Sequence, residues 1–170
     1  MIFNLFRKPT APDAVFEAYR SIVAQSRQET FYAQWGVPDT VTGRFDMISL
    51  HLALLLHRLR GEPAARPFAQ ALVDLFFRDM DRSLRELGVT DLGVPNKVKK
   101  MGNVFYGLVG VLGAALDSGN AANVEGVLVK NVYGGKDAHA AALATYLVDE
   151  ANRLAAQPIE VVTHTAGAAA

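Results

Sequence analysis

The chain has no cysteine. That excludes disulfides, thiolate zinc sites, cysteine-ligated iron–sulfur clusters and a thiol nucleophile, and it leans toward a reducing, cytoplasmic setting. It has no excess of either charge, with 17 Lys+Arg against 17 Asp+Glu. A surface that binds nucleic acid all over is therefore excluded and no specific DNA binding is expected; only a local basic patch remains open. Long apolar runs are missing too. The longest uncharged stretch, Met101 to Leu116, has sixteen residues, including an Asn and four glycines. A membrane-spanning helix needs roughly 20 mostly apolar residues, so this stretch reads as a core helix. No strand pattern, internal repeat, nucleotide-binding glycine loop or nucleophile elbow is present.

What is present is helical periodicity over most of 170 residues, 51% of them hydrophobic, enough for one domain with a proper core. The reading is an all-α, single-domain bundle of about six to seven helices. The expected helices run over 12–26, 28–34, 42–59, 67–87, 97–116, 121–133 and 138–156. Thr10 to Asp13 fits a capping box with Pro12 in the first turn. Thr42, Asn120 and Asp137 fit N-caps, and Gly88 and Gly134-Gly135 fit C-terminal stops. Asp74–Arg78 and Asp81–Arg85 are spaced for ion pairs on the solvated side of the fourth helix. Gly107, Gly110 and Ala114 stack on one stripe, which predicts a central, buried, glycine-rich helix crossed closely by a neighbour. Residues 1–9, with Ile2, Phe3, Leu5 and Phe6 before Arg7 and Lys8, fit either a loose terminus or a small membrane-interfacial anchor. Residues 10–157 form the domain, and 158–170 read as a flexible tail.

Polar groups inside apolar helices stand out. The run from Gly36 to His51 reads as a tight turn around Pro38-Asp39 feeding a helix that is almost wholly apolar to Leu59, yet it carries Arg44, Asp46 and His51. On a helical wheel Arg44 and His51 border the face of Phe45, Ile48, Leu52 and Leu55, while Asp46 lies on the opposite side. They do not form an obvious triad, and anchoring is the default role for such charges. The four histidines lack metal-ligand spacing. No cofactor and no metal are expected. Lys97, Lys99 and Lys100 open the glycine-rich helix, where cations oppose the helix dipole. Two readings stand: an electropositive patch for RNA, lipid phosphate or an acidic partner, or a solvated first turn. Lys99, Asn103 and Tyr106 share a stripe beside it.

An ordered set of blocks carries a family resemblance. These are Phe31-Tyr32, Trp35-Gly36-Val37-Pro38-Asp39-Thr40, Gly43-Arg44-Phe45-Asp46-Met47-Ile48 and Leu50-His51-Leu52. Then come Phe76-Phe77, Asp79-Met80-Asp81, Leu84-Arg85-Glu86, Gly88-Val89, Val98-Lys99-Lys100-Met101, Phe105-Tyr106-Gly107 and Asn131-Val132-Tyr133. Over about Val15 to Ala156 the chain resembles the ubiquinol–cytochrome c chaperone family, assembly factors of the cytochrome bc respiratory complex. The resemblance implies a helical domain without enzymatic activity that holds newly made cytochrome b, with the ribosome or a small helical protein as further partners. It places client or partner binding at Lys97, Lys99, Lys100 and Tyr106. It makes Trp35, Pro38, Asp39, Gly43, Arg44, Asp46, His51, Asp79 and Asp81 a structural signature. After Phe105-Tyr106-Gly107 the family tends to place an arginine and then an aromatic. Here Leu108 and Leu112 stand instead, which implies a changed client surface.

Three functional readings follow. The first is a non-enzymatic chaperone with an apolar groove between helices, flanked by the lysines and braced by Arg44, Asp46 and His51. The second is a peripheral protein of the inner membrane that binds lipid or quinone through an apolar groove and the basic patch. The third is an enzyme using Arg44, Asp46 and His51 on an isoprenoid-like ligand; it lacks any base–nucleophile pairing.

Overall fold

The computed structural model describes residues 11–136 and 139–165. Its described elements are eight α-helices and one 3₁₀ turn, with no strand among them. They are α1 (Ala11–Ser26), α2 (Glu29–Ala33), α3 (Val41–Leu59), a 3₁₀ turn (Pro63–Ala65), α4 (Arg66–Glu86), α5 (Val94–Asp117), α6 (Ala121–Asn131), α7 (Ala140–Ala155) and α8 (Ile159–Thr165). The bundle is all-α, and no described helix is long and apolar enough to cross a membrane. The Thr10 cap, the 1–9 anchor and the Asp137 cap lie outside the described residues.

The central helix is α3. Its residues are apolar on nearly every side, and it packs against α1, α5 and α7. Phe45, Ile48, Leu52, Leu55 and Leu59 enter one core with Val15, Tyr19 and Ile22 of α1 and Leu72, Phe76 and Met80 of α4. Met47, Leu50, Ala53 and Leu54 enter a second core with Phe31 of α2 and residues of α5, α6 and α7. A helix apolar all round must be covered all round. Each large side chain so buried contributes about 1.5–3 kcal/mol by leaving water. Phe76 stacks on Phe45 at 5.5 Å and meets Phe105 at 5.0 Å, which ties α4 to both α3 and α5.

The glycine-rich α5 takes a different place from the one expected. It bridges α3, α4 and α6 and buries Phe105, Leu108, Leu112 and Ala115. Gly107 and Gly110, however, face outward, and a Cβ at either would meet nothing within 4 Å. No described residue packs on Gly107 or Gly110, and α5 meets the interior through its Phe105–Leu108–Leu112 side. Leu108 and Leu112 are core residues, 4% and 1% exposed.

The 158–170 segment, expected as a tail, folds in part. Pro158 stops α7 and opens α8, which lies on α1 with Val162 wholly buried. Arg58 of α3 donates to the carbonyls of Leu154 and Gln157, both at 3.1 Å. It thereby supplies cationic donors at the C-terminus of α7, where carbonyls lack helical partners.

Candidate functional site

The turn that feeds α3 is built by side chains at its start. Thr40, not Thr42, is the N-cap: its hydroxyl accepts from the Gly43 amide at 3.1 Å. Gly43 is required there, since a Cβ would fall 1.9 Å from the Pro38 carbonyl oxygen. Gly36 turns the chain with φ +65° and lies against the His139 ring. Arg44 closes the turn by donating to Asp39 at 2.8 Å, an exposed ion pair. Trp35 offers its carbonyl to the Tyr133 hydroxyl at 2.8 Å and rests on Phe31, ring centroids 5.4 Å apart.

His51 faces α7. Its Nδ1 lies 2.7 Å from the Met47 carbonyl, which can only accept, so Nδ1 carries the proton. Nε2 then accepts from the Tyr146 hydroxyl at 2.8 Å. Burial holds the imidazole below its ordinary range and pushes the Tyr146 phenol up to about 12. Both ring nitrogens are occupied, so His51 ties the middle of α3 to α7. Asp79 accepts from Tyr19 at 2.9 Å and from Arg82 at 2.7 Å, joining α1 to α4. Asp81 pairs with Arg85 at 2.7 Å, whereas Asp74 accepts from Gln70 rather than pairing with Arg78. Arg44, Asp46 and His51 thus point three ways. Among the described residues no group of three or more His, Asp or Glu could hold a metal ion.

Asp46 goes where the helical wheel did not put it. It sits in the sixth position of α3, beyond the first turn, and lines a groove of about 450 Å³ between the start of α3, the end of α4 and the first turns of α5. Phe45, Leu84 and Met101 form its inner wall, and Val41, Leu87 and Val104 are lips 57%, 59% and 54% exposed. Lys97 and Lys100 stand on the α5 side. A second cavity of about 280 Å³ shares Phe45, Leu84, Leu87 and Met101 and continues the trench toward Arg27, Asp79 and Glu86.

Local sequence explains this wall. Gly88, with φ +81°, ends α4: its amide donates to Arg85 at 2.9 Å and the Val89 amide reaches back to Leu84 at 3.0 Å. That pattern is a Schellman stop, in which the residue after the glycine folds back onto the last helical turn. It brings Val89 and Leu84 to one side of the groove. The Asp46 carboxyl is the chemical oddity within. The residue is 8% exposed, no hydrogen bond or ion pair reaches its side chain among the described residues, and burial pushes its pKa up to about 7.

The expected client residues therefore separate. Lys97 and Lys100 line the groove; Lys99 and Tyr106 do not, and Tyr106 lies 58% exposed against Phe77 at 6.0 Å. The groove residues that the sequence reading missed are Val41, Leu84, Leu87, Val89, Met101 and Val104. Leu84 and Leu87 continue the apolar spacing of α4, and nothing in that spacing says where the neighbouring helix stops covering it. Two other cavities are less telling. One of about 590 Å³ is lined by Arg27, Glu29, Tyr32, Asp39 and Arg44, beside the exposed Arg44–Asp39 pair. Another of about 470 Å³ lies between the small residues of α5 and α6.

The fold has a close solved counterpart. A crystal structure of the Cbp3 homolog from Brucella abortus superimposes with a TM-score of 0.82 at 44% identity, covering 91% of this chain and 86% of that one. No curated protein matches the chain. Residues 33–168, which hold the turn, the brace around His51 and the whole groove, match the family described as Ubiquinol-cytochrome C chaperone. With four-fifths of its length matched and that structural likeness, the chain belongs to the ubiquinol–cytochrome C chaperone family.

Proposed function

We propose that this protein is a non-enzymatic assembly chaperone that shelters an apolar segment of newly made cytochrome b in the α3–α4–α5 groove while the ubiquinol–cytochrome c reductase complex is built. The observation that carries this reading is the groove itself. Apart from Asp46 and Thr42 its wall is apolar, lipped by Val41, Leu87 and Val104, flanked by two lysines and uncovered by any described residue of the chain. Contiguous apolar surface of this kind is what a client-binding site needs and what a protein without partners avoids. The rest of the family signature supports the groove from outside: the Thr40–Gly43–Arg44 turn fixes the start of α3, and His51 with Tyr146 fixes its middle.

The test is co-purification of cytochrome b with tagged protein from the native host. Leu87→Glu with Val104→Glu places two charges on exposed lips, so the unfolding midpoint should hold while recovered cytochrome b falls at least fivefold. Undiminished recovery, or normal cytochrome bc assembly in a deletion strain, overturns the proposal.

A seat on the inner membrane surface fits the same end of the molecule. Leu92, 90% exposed, stands in the turn that leads into α5 and its lysines. Flotation with vesicles containing anionic lipid should carry the wild type upward and leave Leu92→Glu behind; equal behaviour of the two removes this reading.

A further inference from the structure

Asp46 has a consequence for what the groove can accept. The residue is 8% exposed, and no described donor of the chain reaches its carboxyl. Its oxygens keep contact with solvent, on the groove that the residue lines. An occupant that seals the groove removes that last water. If the occupant were purely apolar there, docking would leave a carboxylate without water or partner, or force a proton onto it, and either outcome opposes binding. An occupant that brings a cationic donor gains a desolvated, charge-assisted hydrogen bond instead. Lys97 and Lys100 do not fill this role: both are exposed, and neither forms an ion pair with Asp46.

We propose that the groove selects a helical client segment that sets an arginine or lysine, carried within its apolar face, against Asp46, with an acidic side chain on the same segment facing Lys97 and Lys100. This rests on the groove being the client site, and it names the chemistry by which that site tells one apolar segment from another. A client helix with a basic residue in its apolar face is a poor membrane span until it finds its own partners, so it is the kind of segment that gains most from a holder. Asp46 is the specificity-determining group; Val41, Leu87 and Val104 supply contact area.

The charged groups facing this carboxyl are few. Lys97 and Lys100 come from α5, and the end of α4 with its cap offers only Leu84 and Leu87 to this cavity. Farther along the trench, Asp79 is held by Tyr19 and Arg82, and Glu86 lies 3.8 Å from Arg82. Arg27 lies there as well, and Arg44 of α3 is engaged by Asp39. Binding of a cationic segment should therefore weaken in acid as Asp46 gains its proton.

The experiment uses the full chain and two labelled 20-residue amphipathic helical peptides. They are identical except for arginine or norleucine at the centre of the apolar face, and each carries a glutamate two turns away. By fluorescence anisotropy at pH 8 the wild type should bind the arginine peptide at least tenfold more tightly, and the gap should close toward pH 5. Asp46→Asn should abolish the preference and Asp46→Leu should reverse it, with circular dichroism confirming that both fold. Lys97→Gln with Lys100→Gln should leave the arginine preference and its pH dependence in place. If both peptides bind equally and lose affinity equally in Leu87→Glu, the groove stands and the selectivity proposal is refuted. If neither peptide binds, or Leu87→Glu changes nothing, the groove reading fails and takes this proposal with it.

Discussion

Replacing Asp46 with asparagine should make the free protein more stable, and by an amount that depends on pH. The substitution keeps the shape of the side chain and removes its ability to ionise, exchanging one carboxyl oxygen for an amide donor that water in the groove can meet. In the unfolded chain the carboxyl ionises near its ordinary value of 3.8; in the native groove, burial pushes this up to about 7. Between those values the native state holds a proton that the unfolded chain has released. Stability is therefore full below about pH 4, falls as pH rises toward 7 and is flat above it. A shift of this size corresponds to at most ~4 kcal/mol at roughly 1.4 kcal/mol per tenfold change in ionisation. Water at the groove mouth and relaxation around the charge reduce it, so a gain on the order of 2–4 kcal/mol is expected for the variant at pH 8, shrinking to under about 1 kcal/mol at pH 4. Urea titrations of both proteins at pH 4, 6 and 8 measure this directly. At a slope of about 2 kcal/mol per molar, the pH 8 midpoints should differ by roughly 1–2 M. Two results would refute the reasoning: an asparagine variant less stable than wild type at pH 8, or a difference that does not change with pH. The residue that weakens the fold is the one proposed to select the client, a common relation between stability and function.

Three further outcomes test the scaffold. Tyr146→Phe removes the hydroxyl that donates to His51 Nε2; an unsatisfied buried acceptor should lower stability by about 1–3 kcal/mol in the same titration. Gly43→Ala drives a Cβ into the Pro38 carbonyl and should destabilise by at least ~2 kcal/mol, whereas Gly110→Ala, in open space on α5, should raise stability by about 0.5–1 kcal/mol; thermal unfolding midpoints should move in opposite directions. Val162→Ala takes a wholly buried side chain away from α1 and should lower stability by about 1–3 kcal/mol, where an unmoved unfolding midpoint would show that α8 adds nothing to the core.

Much of the fold is legible along the chain. Apolar residues recurring at three and four in Leu72, Leu75, Phe76 and Met80, and stops at Gly61-Glu62-Pro63 and Gly88, settle where helices begin and end, because those signals are local. Asn120 caps α6 as its side chain predicts, accepting from Ala122 at 3.0 Å. The placements that went astray are those that depend on a neighbour. A wheel drawn for α3 alone puts Asp46 opposite the buried face, since it assumes one buried side; α3 has two. The same assumption sends Gly107 and Gly110 inward, although a stripe of small residues reads the same whether or not another helix lies on it. Val162 sits in a segment too short to show a period.

By itself the sequence determined an all-α chain without thiol chemistry, the turn-and-helix signature from Trp35 to His51, and through that ordered signature the family. Tertiary structure alone decided that Asp46 and the lysines some fifty residues later line one groove, that Lys99 and Tyr106 fall outside it, and that the carboxyl has no partner among the described residues. The physical reason is that periodicity and capping are set by residues a turn apart. Desolvation and charge pairing are set by whichever helices happen to pack across the gap.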